Sequence, residues 1–274
     1  MSITKALLLT LLLIFNFLLV QLGVIGLFEL FDQPISLSNS HLKGVSKIVG
    51  FIISYFVLFK VFWKVEFPRK VDFKINNYKL SILIYLIIMS IGLELIYQPL
   101  FDIDKLMEFY KNGFLDIQNE NYSNNRTDLI YQFLAVILVA PILEELFFRK
   151  FLILKLLKKN KKITSLLISS FCFALIHIET PINLIPSFFF GILSGLIFIK
   201  TREILYSIIF HALINAYYLI FLVNATNYNN WVYNLNFNYI YWSLVILGLI
   251  LTFVGVKKIT SANNDSSQIA GTVS

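Results

Sequence analysis

The run from Leu129 to His177, LIYQFLAVILVAPILEELFFRKFLILKLLKKNKKITSLLISSFCFALIH, decides how this chain is read. It consists of two long apolar stretches joined by Lys158-Lys159-Asn160-Lys161-Lys162, a turn too charged to enter hydrocarbon. The first stretch is of a length that suits a membrane span, for which about 20 apolar residues are needed, and the second is short of it. Yet the first holds Glu144, Glu145 and Arg149, and the second ends on a histidine. Charged and imidazole side chains are costly in a bilayer, so each of these calls for a reason.

Composition extends the membrane reading to the whole chain. Mean hydropathy is +0.76, and 58% of the 274 residues are hydrophobic, 27 of them Phe. A water-soluble fold of this size cannot bury so much apolar surface. The expected fold is all-α, a polytopic bundle of about eight spans near 6–28, 46–63, 80–98, 129–157, 163–179, 183–199, 203–223 and 236–256. Residues 1–258 are expected to form a single integral membrane domain, and the polar stretch 259–274 a disordered tail. The first apolar run has only Lys5 before it and no small-residue cleavage site after it, which predicts a retained helix.

The net charge of +7 does not indicate nucleic acid, because Lys and Arg cluster in short segments beside apolar runs. With the N-terminus inside, 18 of the 23 basic residues fall on the inner side, which predicts that both termini are cytoplasmic. Nineteen Lys against four Arg, with abundant Ile and Asn, is consistent with A+T-rich coding and a bacterial plasma membrane. The single cysteine, Cys172, excludes an internal disulfide and a multi-cysteine metal site.

Of the three histidines, His177 and His211 fall in predicted spans, while His41 is expected in a solvated loop. Glu144 lies 14 residues before Lys158, and His177 lies 14 residues after Ile163. At the helical rise, both stand roughly 21 Å from the charged turn. Asn215, 12 residues beyond Glu203, stands roughly 18 Å from its own turn, and His211 lies one turn away from it on the same helix face. A carboxylate, two imidazoles and a carboxamide are thus expected near mid-membrane. Glu144 could draw a proton from a water, His177 could orient that water, and His211 and Asn215 could donate to a developing oxyanion. Arg149, one turn after Glu145, suits a structural ion pair. Phe173, one turn before His177, suits packing, as does the four-residue spacing of Ser187, Gly191 and Gly195.

Three patterns, Glu-Glu-x-x-x-Arg at 144–149, Phe-x-x-x-His at 173–177 and His-x-x-x-Asn at 211–215, resemble those of the CPBP family, also called Abi or type II CAAX proteases. The resemblance spans about 128–218. It implies an intramembrane endopeptidase with Glu144, His177, His211 and Asn215 as catalytic residues and Glu145, Arg149 and Phe173 in support. The implied partners are the bilayer and a membrane-associated protein or peptide, with bacteriocin or peptide processing and self-immunity among the roles of bacterial members. The family has been described both as metal-dependent and as metal-free. A zinc ion would use Glu144, His177 and His211. The absence of His-Glu-x-x-His favours a site with no metal and no other cofactor.

Two other functions fit membrane-embedded acids and histidines. A proton-coupled transporter would be built on inverted repeats, which the sequence lacks. A non-catalytic immunity or scaffold protein would use the same fold to bind a partner. Serine and aspartyl intramembrane proteases fit poorly: Gly191-Ile-Leu-Ser194-Gly195 has the wrong spacing for Gly-x-Ser-Gly, and no span carries a clear Asp pair.

Overall fold

The computed structural model of the chain describes residues 1–30, 40–63, 80–97, 100–101, 103–115, 126–223 and 231–261. Among these residues the regular structure is helical throughout, with no strand. The principal helices are α1 (Ile3–Leu30), α2 (Ser40–Leu58), α3 (Leu80–Tyr97), α4 (Ile103–Asn112), α5 (Arg126–Leu157), α6 (Lys162–Leu175), α7 (Leu184–Thr201), α8 (Ile204–Val223) and α9 (Tyr239–Ser261). Six of them, α1, α2, α3, α5, α7 and α9, are long and apolar enough to cross a membrane. Lys162–Leu175 and Ile204–Ile220 are shorter apolar helices. Each span expected from the sequence overlaps a helix, but that expected over 163–179 is helical only to Leu175. The last of these helices runs on past Lys257 and Lys258 to Ser261, and the remainder of the expected tail lies outside the described residues.

Large apolar side chains cover the outer faces of these helices: Leu8, Leu11, Phe15 and Leu22 on α1, and Ile246, Leu249, Ile250 and Phe253 on α9 are all exposed. In water such a surface would be strongly unfavourable. In lipid it is the ordinary exterior of a span, and the chain is therefore a multi-pass membrane protein.

The described helices fall into two compact units, residues 1–78 with 124–176 and residues 79–123 with 177–274. In the first, α1 packs on α2 and α6, and α2 on α5. His41 falls within α2, which begins earlier than its apolar run implies, and its Nδ1 lies 3.0 Å from the hydroxyl of Tyr131 on α5. The turn between α5 and α6 is closed by the backbone N–H groups of Lys159 and Asn160, both donating to the Leu156 carbonyl at 3.0 Å. The Asn160 side chain donates to the same oxygen.

In the second unit, α3 packs against α9 and α8, and α7 against α8 and α9. The α3–α9 contact is a meeting of backbones. A Cβ on Gly92 would stand 2.7 Å from the Gly248 carbonyl oxygen and 2.8 Å from the Thr252 nitrogen, and a Cβ on Gly248 would stand 2.6 Å from the Gly92 carbonyl oxygen. Between membrane helices, where lipid removes most of the hydrophobic drive, such close approach supplies the dispersion energy of association. Ser187, Gly191 and Gly195 are likewise buried along α7. Gly92→Leu or Gly248→Leu should therefore destabilise the protein by roughly 1–3 kcal/mol through overpacking against backbone that cannot yield. Gly23→Ala and Gly26→Ala, with nothing within 4 Å of the added Cβ, should leave stability unchanged or raise it by up to about 1 kcal/mol. Thermal unfolding in detergent, followed by a thiol-reactive dye at the buried Cys172, distinguishes the two outcomes.

Candidate active site

Pro141 shapes the acidic stretch. It has no N–H to give to the preceding turn, and its ring crowds the carbonyl four residues back. The helix answers by widening: Phe133–Val139 is π-helical, Ala140–Glu145 is α-helical with Pro141 in its first turn, and Leu146–Ile153 is π-helical again. Interruptions of this kind are frequent at functional sites. Here the α-helical segment ends on the two acids.

Both acids are buried, Glu144 at 3% and Glu145 at 0% exposure, as is Arg149 at 0%. The guanidinium meets Glu145 twice, with Nε 2.9 Å from Oε2 and Nη2 3.4 Å from Oε1. This fork geometry fits a carboxylate and holds it in one orientation. The flat face of Arg149 also lies over the Phe173 ring, with Cζ 4.8 Å from its centroid, so an α6 residue completes the cation's surroundings. Phe148 meets Phe173 edge to face at 5.3 Å, and Ser169 on α6 donates its hydroxyl to the Phe148 carbonyl at 2.8 Å. That bond crosses from α6 to a carbonyl within the second π-helical segment. Tyr55 of α2, fully buried, interacts electrostatically with Glu144, Glu145 and Arg149 and packs edge to face on Phe147 at 5.9 Å. Sequence reasoning missed it, because one tyrosine in an apolar run carries no spacing signal.

His177 does not lie within its helix. α6 ends at Leu175, and residues 176–179 form a turn in which the Thr180 N–H donates to the His177 carbonyl at 2.9 Å. The cause is the polar pair Glu179 and Thr180 together with Pro181, whose ring disfavours helical backbone in the residue before it. The division between the two units falls between Ile176 and His177.

In the second unit, His211 is buried on α8 with its ring 4.7 Å from that of Phe190 on α7, and Phe190 in turn stacks on Phe210 at 5.3 Å. Ser207, one turn before His211, donates to the Ser194 carbonyl of α7 at 3.1 Å. Asn215, half-buried, follows His211 by one turn on α8. Glu94 of α3 is a further half-buried membrane acid that the sequence reading passed over; among the described residues it makes no hydrogen bond or ion pair. The rule that singled out Glu144 would have found it. The described residues of each unit contain no group of three His, Cys, Asp or Glu side chains close enough to hold a metal ion.

A membrane protein with buried acids and histidines on its helices belongs to a class whose intramembrane polar groups serve chemistry or transport. Residues 126–217, 92 of the 274, match the family model described as Type II CAAX prenyl endopeptidase Rce1-like, which supports a likeness to the CPBP, CAAX-protease-like family of membrane proteases. No curated protein and no solved structure matches the chain.

The ion pair makes a sharp prediction. Arg149→Met leaves a buried carboxylate uncompensated and should cost about 3–5 kcal/mol. The double variant Glu145→Met with Arg149→Met removes both charges and should regain most of that loss. Unfolding midpoints of the two variants, again read through Cys172 labelling, check this; equal losses would mean that the pair's charge is not what the fold needs.

Proposed function

We propose that this protein is an intramembrane endopeptidase that hydrolyses peptide bonds of a membrane-associated protein or peptide, in a bacterial plasma membrane. Glu144 is the base that draws a proton from the attacking water. His177 orients that water, and His211 and Asn215 donate to the oxyanion of the tetrahedral intermediate. The proton taken by Glu144 then goes to the leaving amine, which closes the cycle without any other cofactor.

The observation that supports this reading best is the division of labour between the two adjacent acids. Arg149 places its fork on Glu145, so Glu145 is held in one orientation for structure, and its buried neighbour Glu144 is assigned as the base. Glu144 is itself buried, a dry setting in which a positioned base can take and return a proton without bulk water competing. The match to a protease family over 126–217 supports peptide-bond cleavage over proton transport. His211, wedged against Phe190 and buried, has the restricted setting that a fixed hydrogen-bond donor requires.

Glu144→Gln keeps shape and removes the base. It should lower cleavage by about 10²–10⁴-fold, the usual contribution of a positioned base, while leaving the unfolding midpoint close to wild type. The readout is mass spectrometry of new peptide termini in membranes and secreted fractions of cells carrying either form. Termini present with the wild type and lost in the variant identify proteolysis and its substrate. A cleavage that survives chelator treatment matches the metal-free mechanism; one abolished by chelator and restored by zinc replaces it with a zinc site on Glu144, His177 and His211. If no termini differ, proteolysis is refuted. Proton flux in liposomes that is lost in the variant would then indicate a relay, and an unaltered phenotype a binding protein.

A further inference from the structure

Helix α4 follows the end of α3 after only five residues, so at no more than about 3.5 Å per residue its start stays within roughly 20 Å of where that span ends. It is strongly two-faced. At 100° per residue, Ile103, Met107 and Tyr110 fall within about 60° of one another, whereas Asp104, Lys105, Glu108, Lys111 and Asn112 share an arc of about 120° on the other side. Two of its residues, Lys105 and Phe109, are tied to the rest of the unit. Lys105 pairs with Glu108 at 2.8 Å and lies 5.4 Å from the centre of the Tyr233 ring, and Phe109 meets Phe237 edge to face at 4.8 Å. Just beyond the helix, the Leu115 N–H donates to the Asn236 side chain at 2.7 Å.

The apolar stripe is not used by these ties. Ile103 is 59% exposed, Met107 50% and Tyr110 85%. The surface beside it is of one kind. Phe237 packs on Tyr241 and Trp242 at the start of α9, and Tyr239 and Trp242 are themselves exposed. Exposed aromatic side chains at the end of a span mark the level of the membrane interface. A short helix docked at that level by its polar and aromatic flank, with aliphatic and sulfur-containing side chains turned outward, has the build of a helix lying in the interface plane.

We propose that α4 is an in-plane helix whose Ile103–Met107–Tyr110 stripe is seated in the lipid of the leaflet at the Tyr97 end of α3. Its occupant is lipid, at the boundary between headgroups and acyl chains. Asp104 and Lys111, both exposed on the polar side, stay among headgroups and water. The helix then acts as a float that sets the depth of α3 and α9 in the bilayer, an arrangement independent of whether the protein cleaves peptides.

The test uses the full chain in phospholipid vesicles. Cys172 is replaced by Ala, and a single nitroxide label is attached at Met107→Cys or at Lys111→Cys. Relaxation of each label by oxygen, which concentrates in lipid, is compared with relaxation by a water-soluble nickel chelate. The oxygen-to-nickel ratio is expected to be several-fold higher at 107 than at 111, at a depth of about 5–10 Å. A label at 107 as open to nickel as that at 111 would overturn the proposal, because the stripe would then face water. A label at 107 shielded from both reagents would also overturn it, with spin–spin broadening pointing to a second copy and its absence to cover from the same chain. Ile103→Cys repeats the measurement on the same stripe should the Met107 variant fail to fold.

Discussion

The fully buried pair of Glu145 and Arg149 is the constraint on which the first unit depends. Neither group can be left alone in hydrocarbon, so each must be matched in charge, direction and surroundings before the helix that carries them can be buried. The fork from Arg149 settles the carboxylate, and the Phe173 ring settles the face of the guanidinium. Because Phe173 lies on α6, the demand of one cation joins two spans. The Ser169 bond to the Phe148 carbonyl lies on the same seam and ties α6 to the π-helical stretch after the acids. A polar requirement inside the membrane has thus become a packing instruction, and Glu144 is carried to its buried place by an element fastened for Glu145.

The second unit solves a different problem. It gains cohesion by letting backbones approach. Gly92 and Gly248 bring α3 and α9 to a separation that no side chain could share. Ser207 and Ser194 join α8 to α7, with Phe190 between them and His211. Small residues and short hydroxyl bonds are what remains when the solvent is as apolar as the side chains. His211 is held within this packing, and its restricted setting is the contribution of the unit to the proposed chemistry.

Much of this was legible beforehand. Apolar runs mark the six span-length helices and the two shorter apolar ones, because hydrocarbon tolerates no other backbone. The four-residue step from Glu145 to Arg149 places an acid and a base one turn apart, and the pair is present. The departures have local causes. His177 is two residues past its helix because Pro181 and the polar residues before it end α6 early, whereas hydropathy alone would continue the run to 179. The π-helical widening around Pro141 changes the pitch without changing composition, so no hydropathy pattern reports it. Tyr55 approaches the acids from another helix, and α2 begins at Ser40, ahead of the apolar run expected from 46.

By itself the sequence determined that the chain lives in a membrane, where its helices run, and which polar side chains must have a purpose there. Those properties follow from transfer free energies and helical periodicity, which act on each segment alone. Only the tertiary structure decided which ring covers the arginine, which tyrosine approaches the acids, and where two helices touch through glycine. Such choices depend on distances between segments far apart in the chain. Composition and spacing restrict those distances but cannot supply them.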